Sequence, residues 1–273
     1  MIVPWLLSMI MAVAAENAGA ASVSRGAVVS VTDKTGHMVA DLAAAEVTVK
    51  ENGQARAVKS VERDSRPLAL AVLLDSSINV TGVFRSDLVD PVMDFVTGLP
   101  QGTEGLLMTI GTPPTVVDLK DPAGAREALK ARVPFGKNSL YDAVAEAARR
   151  LGEKKGTRRV IVVVTSESFE ADDQTLAIEA LGKAAALLFV IQFGPTGAYP
   201  QDLDNIVKWT GGRFEPISAP SGVGKVLARL APEWEAPWVV VYDSPAGGDK
   251  RSVEVKVSRK AVKVRPLLGG IGE

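Results

Sequence analysis

Four apolar runs constrain this chain more than any other feature: "LALAVLLD" (68–75), "GLLMTIG" (105–111), "VIVVVTS" (160–166) and "ALLFVIQFG" (186–194). Strands this continuously apolar belong to parallel sheets covered on both faces, because a strand with one wet face alternates apolar and polar residues. Amphipathic segments lie between and after them. In "SLYDAVAEAARRL" the residues Leu140, Val144, Ala147, Ala148 and Leu151 fall on one face of a helix, with Ser139 placed to cap its start. "ADDQTLAIEALGKAA" and "PQDLDNIVKWTGG" repeat the scheme, the second stopped by glycine. Alternating strands and helices over residues 66–235 predict an α/β domain with a doubly wound, mostly parallel, Rossmann-like sheet.

The flanks read differently. From 25 to 63 the pattern is short and β-like: "AVVSVTD", a turn at "DKTG", then "VTVKENGQARAVKSV", where Asn52-Gly53 marks a hairpin. Residues 236–266 return to β, with Val253, Val255 and Val257 on one side of a strand and Glu254 and Lys256 on the other. An isolated hairpin is marginally stable, so the two flanks are expected to pack together as one small β-sandwich-like domain split by the α/β insertion. Trp234 and Trp238 are expected in the core of that β domain.

Residues 1–21 form an apolar run followed by small residues, with Ala12-Val13-Ala14 and Ala18-Gly19-Ala20 as cleavage-type triplets. This predicts a signal peptide and an exported protein, periplasmic or secreted, with an uncleaved N-terminal anchor as the alternative. No segment of the mature chain has the ~20 apolar residues that a spanning helix requires. The chain has no cysteine and one histidine, His37, in the turn-like "TDKTGHM". Zinc sites of the Cys/His kind and thiol nucleophiles are therefore excluded, and a Ser-His-Asp triad would have to use a surface-turn histidine. A formal net charge of −1 gives no basis for nucleic-acid binding.

In open α/β sheets, ligands bind beyond the carboxyl ends of the strands, where strand order reverses. Three oxygen-rich segments are expected there. The first apolar run ends in Asp75, Ser76, Ser77 and Asn79; "VIVVVTS" delivers Thr165, Ser166, Glu167 and Ser168; and "VPFGKNSLYDA" places Lys137, Asn138 and Ser139 before a helix.

On "DKTGHMVADLAAAEVTVKENGQ", "LALAVLLDSSIN", "NSLYDAVAEAARRL" and "VEVKVSRKAVKVR" the chain resembles the von Willebrand factor A family, and more closely its bacterial relatives with a short β segment on either side of the A domain. The resemblance implies a non-enzymatic protein-binding module, its partner a protein, with a metal-ion-dependent adhesion site. In the family that site reads D-x-S-x-S, adds a threonine from a second loop and takes an aspartate from a strand ending T-D-G. Here Asp75 and Ser77 match, whereas the remaining positions fall on Asn79, Asn138 and Ser166. One carboxylate remains where the pattern has two, so Mg²⁺ or Mn²⁺ binding is expected to be weak or absent. The opposing reading, equally weighted, has Asp75 and Ser77 simply closing the turn through bonds to backbone N–H groups.

Two rival functions leave traces. A haloacid-dehalogenase-type phosphatase would use Asp75 as nucleophile, but its second acid falls on Ser77, which cannot act as a general acid near neutral pH. Asp172 and Asp173 imitate a later acidic pair yet suit a helix start. "APSGVGKV" (219–226) nearly matches a phosphate-binding loop, but Ala219 replaces its first glycine and Val226 its metal-binding hydroxyl. Without metal, specificity is expected from loop shape and exposed side chains such as Phe135 and Lys137.

Overall fold

The computed structural model describes residues 22–111, 114–117, 119–167, 173–196, 200–247 and 251–269. The leader segment, Ser168 and Asp172 lie outside the described residues.

The central sheet runs in the order β10-β9-β8-β5-β6-β7. Its strands are β5 (Leu68–Asp75), β6 (Glu104–Ile110), β7 (Thr115–Val117), β8 (Arg158–Ser166), β9 (Leu187–Phe193) and β10 (Phe214–Ile217). All neighbours are parallel except β7, which lies antiparallel on β6. Every residue of β5 is buried, and its alternation assigns the two faces. Leu68, Leu70, Val72 and Leu74 pack with α1 (Asp90–Thr97), α2 (Pro122–Ala131) and α6 (Val223–Glu235). Ala69, Ala71 and Leu73 pack with α3 (Leu140–Gly152), α4 (Thr175–Ala184) and α5 (Gln201–Thr210). Each large aliphatic side chain so covered contributes about 1.5–3 kcal/mol. The doubly wound expectation holds.

Some elements exceed the sequence reading. Helix α1 grows out of a π-helical turn over Phe84–Val89, and α2 starts on Asp121, whose carboxylate accepts the Gly124 N–H at 3.0 Å. Ser139 occupies the cap position of α3, but its side chain makes no capping hydrogen bond. Trp234 belongs to α6 and is buried in the α/β core, edge-on to Phe189 at 4.7 Å, rather than in the β domain. The amphipathic period of α6, continuing to Trp234, carries it there.

The flanking strands form two antiparallel sheets. One has the order β13-β1-β11-β4 and the other β12-β2-β3. Their elements are β1 (Ser22–Asp33), β2 (Val47–Glu51), β3 (Gln54–Arg56), β4 (Val58–Arg63), β11 (Trp238–Pro245), β12 (Val253–Val257) and β13 (Val262–Pro266). Val29, Val31, Val47, Val49, Trp238 and Val240 fill the space between the sheets. Asn52 and Gly53 both have positive φ (51° and 78°), as a two-residue hairpin of matching twist requires.

The sandwich is fastened to the α/β layer. Val28, Val239 and Leu267 enter the core beneath α6. The Arg158 guanidinium donates to the carbonyls of Asp64 at 2.5 Å, Glu235 at 2.8 Å and Trp234 at 3.3 Å, capping the end of α6 and holding the linker before β5. Gly211 ends α5 with φ of 84°, and a side chain there would meet the Pro266 carbonyl.

Candidate functional site

The chain leaves β5 to form β6 on one side and later returns to form β8 on the other. The crevice this reversal creates lies between the ends of β5 and β8, where Asp75 and Ser166 stand. Asp75 and Ser77 are fully buried, Asn138 is 1% exposed and Ser166 7% exposed.

Asp75 is the centre of a hydrogen-bond cluster. Its Oδ1 accepts the Ser77 N–H at 2.8 Å, closing the turn locally. Its Oδ2 accepts the Asn138 side-chain amide at 2.8 Å, the Ser166 N–H at 3.0 Å and the Ser166 hydroxyl at 2.7 Å. Thr165 adds a longer hydroxyl contact to Oδ2 at 3.5 Å, and the Asn138 amide also reaches Thr165 Oγ1 at 2.8 Å. A buried carboxylate must be compensated, and here protein N–H and O–H groups compensate it. Thr165, absent from the sequence-derived ligand set, is part of this cluster; facing the α3 side like Ile161 and Val163, it could have been found from β8 alternation.

Other candidates point elsewhere. Ser76 turns to β6, its N–H and hydroxyl both donating to the Ile110 carbonyl. Asn79 is exposed on the short 3₁₀ turn Ile78–Val80. Glu167 lies toward the end of β9, where its carboxylate accepts the Thr196 N–H at 3.2 Å and the Thr196 hydroxyl at 2.5 Å. Asp173 accepts the Thr175 N–H at 2.8 Å beside the start of α4. In "APSGVGKV", Pro220–Gly222 is a 3₁₀ turn and Lys225 already lies within α6. His37 is exposed, its Nδ1 2.7 Å from the Thr35 hydroxyl.

A divalent ion of the Mg²⁺ class takes near-octahedral oxygen ligands, usually including one or two carboxylates. The residues here do not fit that demand as they stand. The carboxylate oxygen facing Asn138 and Ser166 is enclosed by donors, and among the described residues no group of three His, Cys, Asp or Glu side chains forms a metal-type cluster. Ser77 Oγ and Asn138 Oδ1 are buried without hydrogen-bond partners. They are neutral acceptors, suited to an ordered water as much as to an ion.

The loops that carry this cluster also expose apolar side chains. Two loops are laced together by the Phe135 N–H donating to the Ser76 carbonyl at 2.9 Å and the Ile78 N–H donating to the Gly136 carbonyl at 3.1 Å. From this clasp Ile78, Val133 and Phe135 project, 62%, 68% and 80% exposed. Lys137 is exposed on the same loop.

A doubly wound sheet with an oxygen-rich crevice at its switch point, set on a split β-sandwich, defines a von Willebrand factor A fold. The chain is similar to the solved structure of the von Willebrand factor type A protein from Catenulispora acidiphila, with a TM-score of 0.56 and 12% identity over 92% of this chain and 68% of that one. Coverage of that extent includes flanking β strands as well as the α/β region. Weaker likenesses are to an aerotolerance-related membrane protein from Bacteroides fragilis (TM-score 0.46, 15% identity, 60% of this chain and 98% of that one) and to BatB from Bacteroides thetaiotaomicron (0.48, 16%, 62% and 99%). No family model matches the sequence. No curated protein matches it either.

Proposed function

We propose that this protein is a non-enzymatic, exported interaction module that docks a protein partner through the rim of its crevice, with divalent-metal binding weak or lost. The observation that carries the reading is an Asp75 carboxylate enclosed by protein donors, with exposed apolar side chains on the two adjoining loops. Exposed large apolar side chains held on rigid loops cost little entropy to bury against a partner, which suits a docking surface. Asp75, Ser77, Asn138 and Ser166 then act as a scaffold that fixes the two loops, and Asn79 lies at the rim.

The fold likeness supports an A-type module and no more. Residues 25–63 and 236–266 serve as one β unit carrying the 66–235 α/β domain, and residues 1–21 serve as the export signal. Among the described residues no helix is long and apolar enough to cross a membrane. A phosphatase using Asp75 is disfavoured because a nucleophile must reach its substrate, and this carboxylate is fully buried with Oδ2 already accepting several bonds.

The test is a binding comparison against exported proteins of the native host, with Ile78→Ser and Phe135→Ala variants beside the natural chain, in EDTA and in Mg²⁺. Capture that survives EDTA and disappears in both variants supports the reading. Capture that requires Mg²⁺, or is indifferent to both substitutions, overturns it.

A further inference from the structure

A second site lies where the sandwich meets the α/β layer. Along β1, Val29 and Val31 face the sandwich core while Ser30 and Thr32 face the opposite way; along β13, Val262 and Val264 face the core while Lys263 and Arg265 do not. Strand register sets Ser30 directly opposite Arg265 and Thr32 directly opposite Lys263. These four residues line a cleft on the side of the sheet turned away from the sandwich core, with Ser30 and Thr32 buried and Lys263 exposed. Arg213, just before β10, closes it from the α/β side, and Lys34 in the Asp33–Gly36 turn stands at its mouth. The cleft has a volume of about 580 Å³, within the range of small-molecule sites.

Its charge is not balanced. Glu233, at the end of α6, is 1% exposed and accepts bonds from Arg213 at 2.5 Å and from Arg265. Glu215 pairs with both Arg213 and Arg229. The only carboxylate in the cleft lining, Asp33, is tied into its own turn by the N–H groups of Thr35 and His37 and the Thr35 hydroxyl. Five cations (Lys34, Arg213, Arg229, Lys263, Arg265) thus meet three carboxylates (Asp33, Glu215, Glu233), an excess of two positive charges. Neither Lys34 nor Lys263 pairs with a carboxylate among the described residues, and Arg265 Nε is buried without a hydrogen-bond partner. A purely structural ion-pair network would place Glu233 between the two arginines. The Ser30 hydroxyl, which donates to Glu233 at 3.5 Å, belongs to that network, but the network gives no reason for two further lysines to line the cleft.

From this geometry we infer a binding site for a small organic dianion, a phosphate monoester or a dicarboxylate, in the cleft between β1, β13 and Arg213. The arginines, pre-oriented by Glu233, supply fixed donors, while Lys34 and Lys263 supply the attracting charge. This site is separate from the crevice at Asp75 and does not depend on its reading.

The experiment is isothermal titration of inorganic phosphate and of succinate into the natural protein, at low and at physiological ionic strength. The Lys34→Glu/Lys263→Glu double variant and Phe135→Ala are run beside it. Both lysines are exposed, so the fold should persist, and circular dichroism checks that it does. Saturable binding of either dianion, weakened about tenfold or more in the double variant and unchanged in Phe135→Ala, supports the site. The tighter of the two probes identifies the headgroup chemistry. Absence of saturable binding by both probes, or equal binding in the double variant, overturns it.

Discussion

Asn138 donates its side-chain amide to Asp75 Oδ2 at 2.8 Å inside a crevice from which solvent is excluded. The pair joins the loop before α3 to the end of β5. Removing the acceptor takes a partner from the Ser77 N–H, the Ser166 N–H and hydroxyl and the Asn138 amide, which keeps only Thr165 Oγ1. Asp75→Ala is therefore expected to cost about 2–4 kcal/mol. Denaturant unfolding of both proteins, with and without Mg²⁺, measures it, and the loss should be the same in either condition.

The rim residues should behave in the opposite way. Ile78 and Phe135 cover little of the core, so Ile78→Ser and Phe135→Ala should leave stability within about 0.5 kcal/mol while removing partner binding. A thermal melt run beside the binding assay separates the two effects.

Arg158 ties the end of α6 to the linker before β5, with its side chain 10% exposed and its guanidinium shared among three backbone carbonyls. Arg158→Ala leaves those carbonyls and the buried Asp64 carboxylate short of partners, and about 2–3 kcal/mol should be lost. Hydrogen exchange should show the loss at residues 62–68 and at the end of α6 before the centre of the sheet is affected.

Asp64 is a buried contributor to the acid limb of stability. Burial works to raise its carboxyl pKa, but the Arg66 hydrogen bonds and charge, with Arg158 nearby, outweigh burial and hold it below the ordinary value. A depressed folded-state pKa adds stability that is present above the unfolded value of about 3.9 and is lost as pH falls through the folded one. Arg66→Ala should therefore flatten the fall in stability below about pH 4, as urea unfolding across pH 2–6 would record.

The architecture was legible because its signals are local and redundant. Four apolar runs, the 3.6-residue period of α3 and the Asn52-Gly53 turn each specify one element without help from the rest. Helices α1 and α2 were not, since α1 is a single short stretch containing Pro91 and α2 contains Gly124, both weak helix signals that tertiary packing overrides. Trp234 was misplaced because proximity in sequence to the β segment says nothing about which side of a domain junction a side chain enters. At the crevice, the residue types announced convergence, and Asp75, Asn138 and Ser166 do meet. Strand alternation already argued that Glu167 points away from Ser166, whereas sequence had no means of giving the direction of the Asn138 amide, which depends on partners from other loops. The dianion cleft was illegible for the same reason: Ser30, Thr32, Lys263 and Arg265 become neighbours only through the pairing of β1 with β13.

Protein N–H and O–H donors hold the Asp75 carboxylate where the family pattern would put an ion. Isothermal titration of Mg²⁺ and Mn²⁺ tests this most directly, with Asp75→Ala and Ser166→Asp run in parallel. No saturable binding tighter than about 1 mM is expected in the natural protein, and Ser166→Asp, which restores the second carboxylate, should gain binding. Tight, saturable binding in the natural protein that vanishes in Asp75→Ala would contradict it.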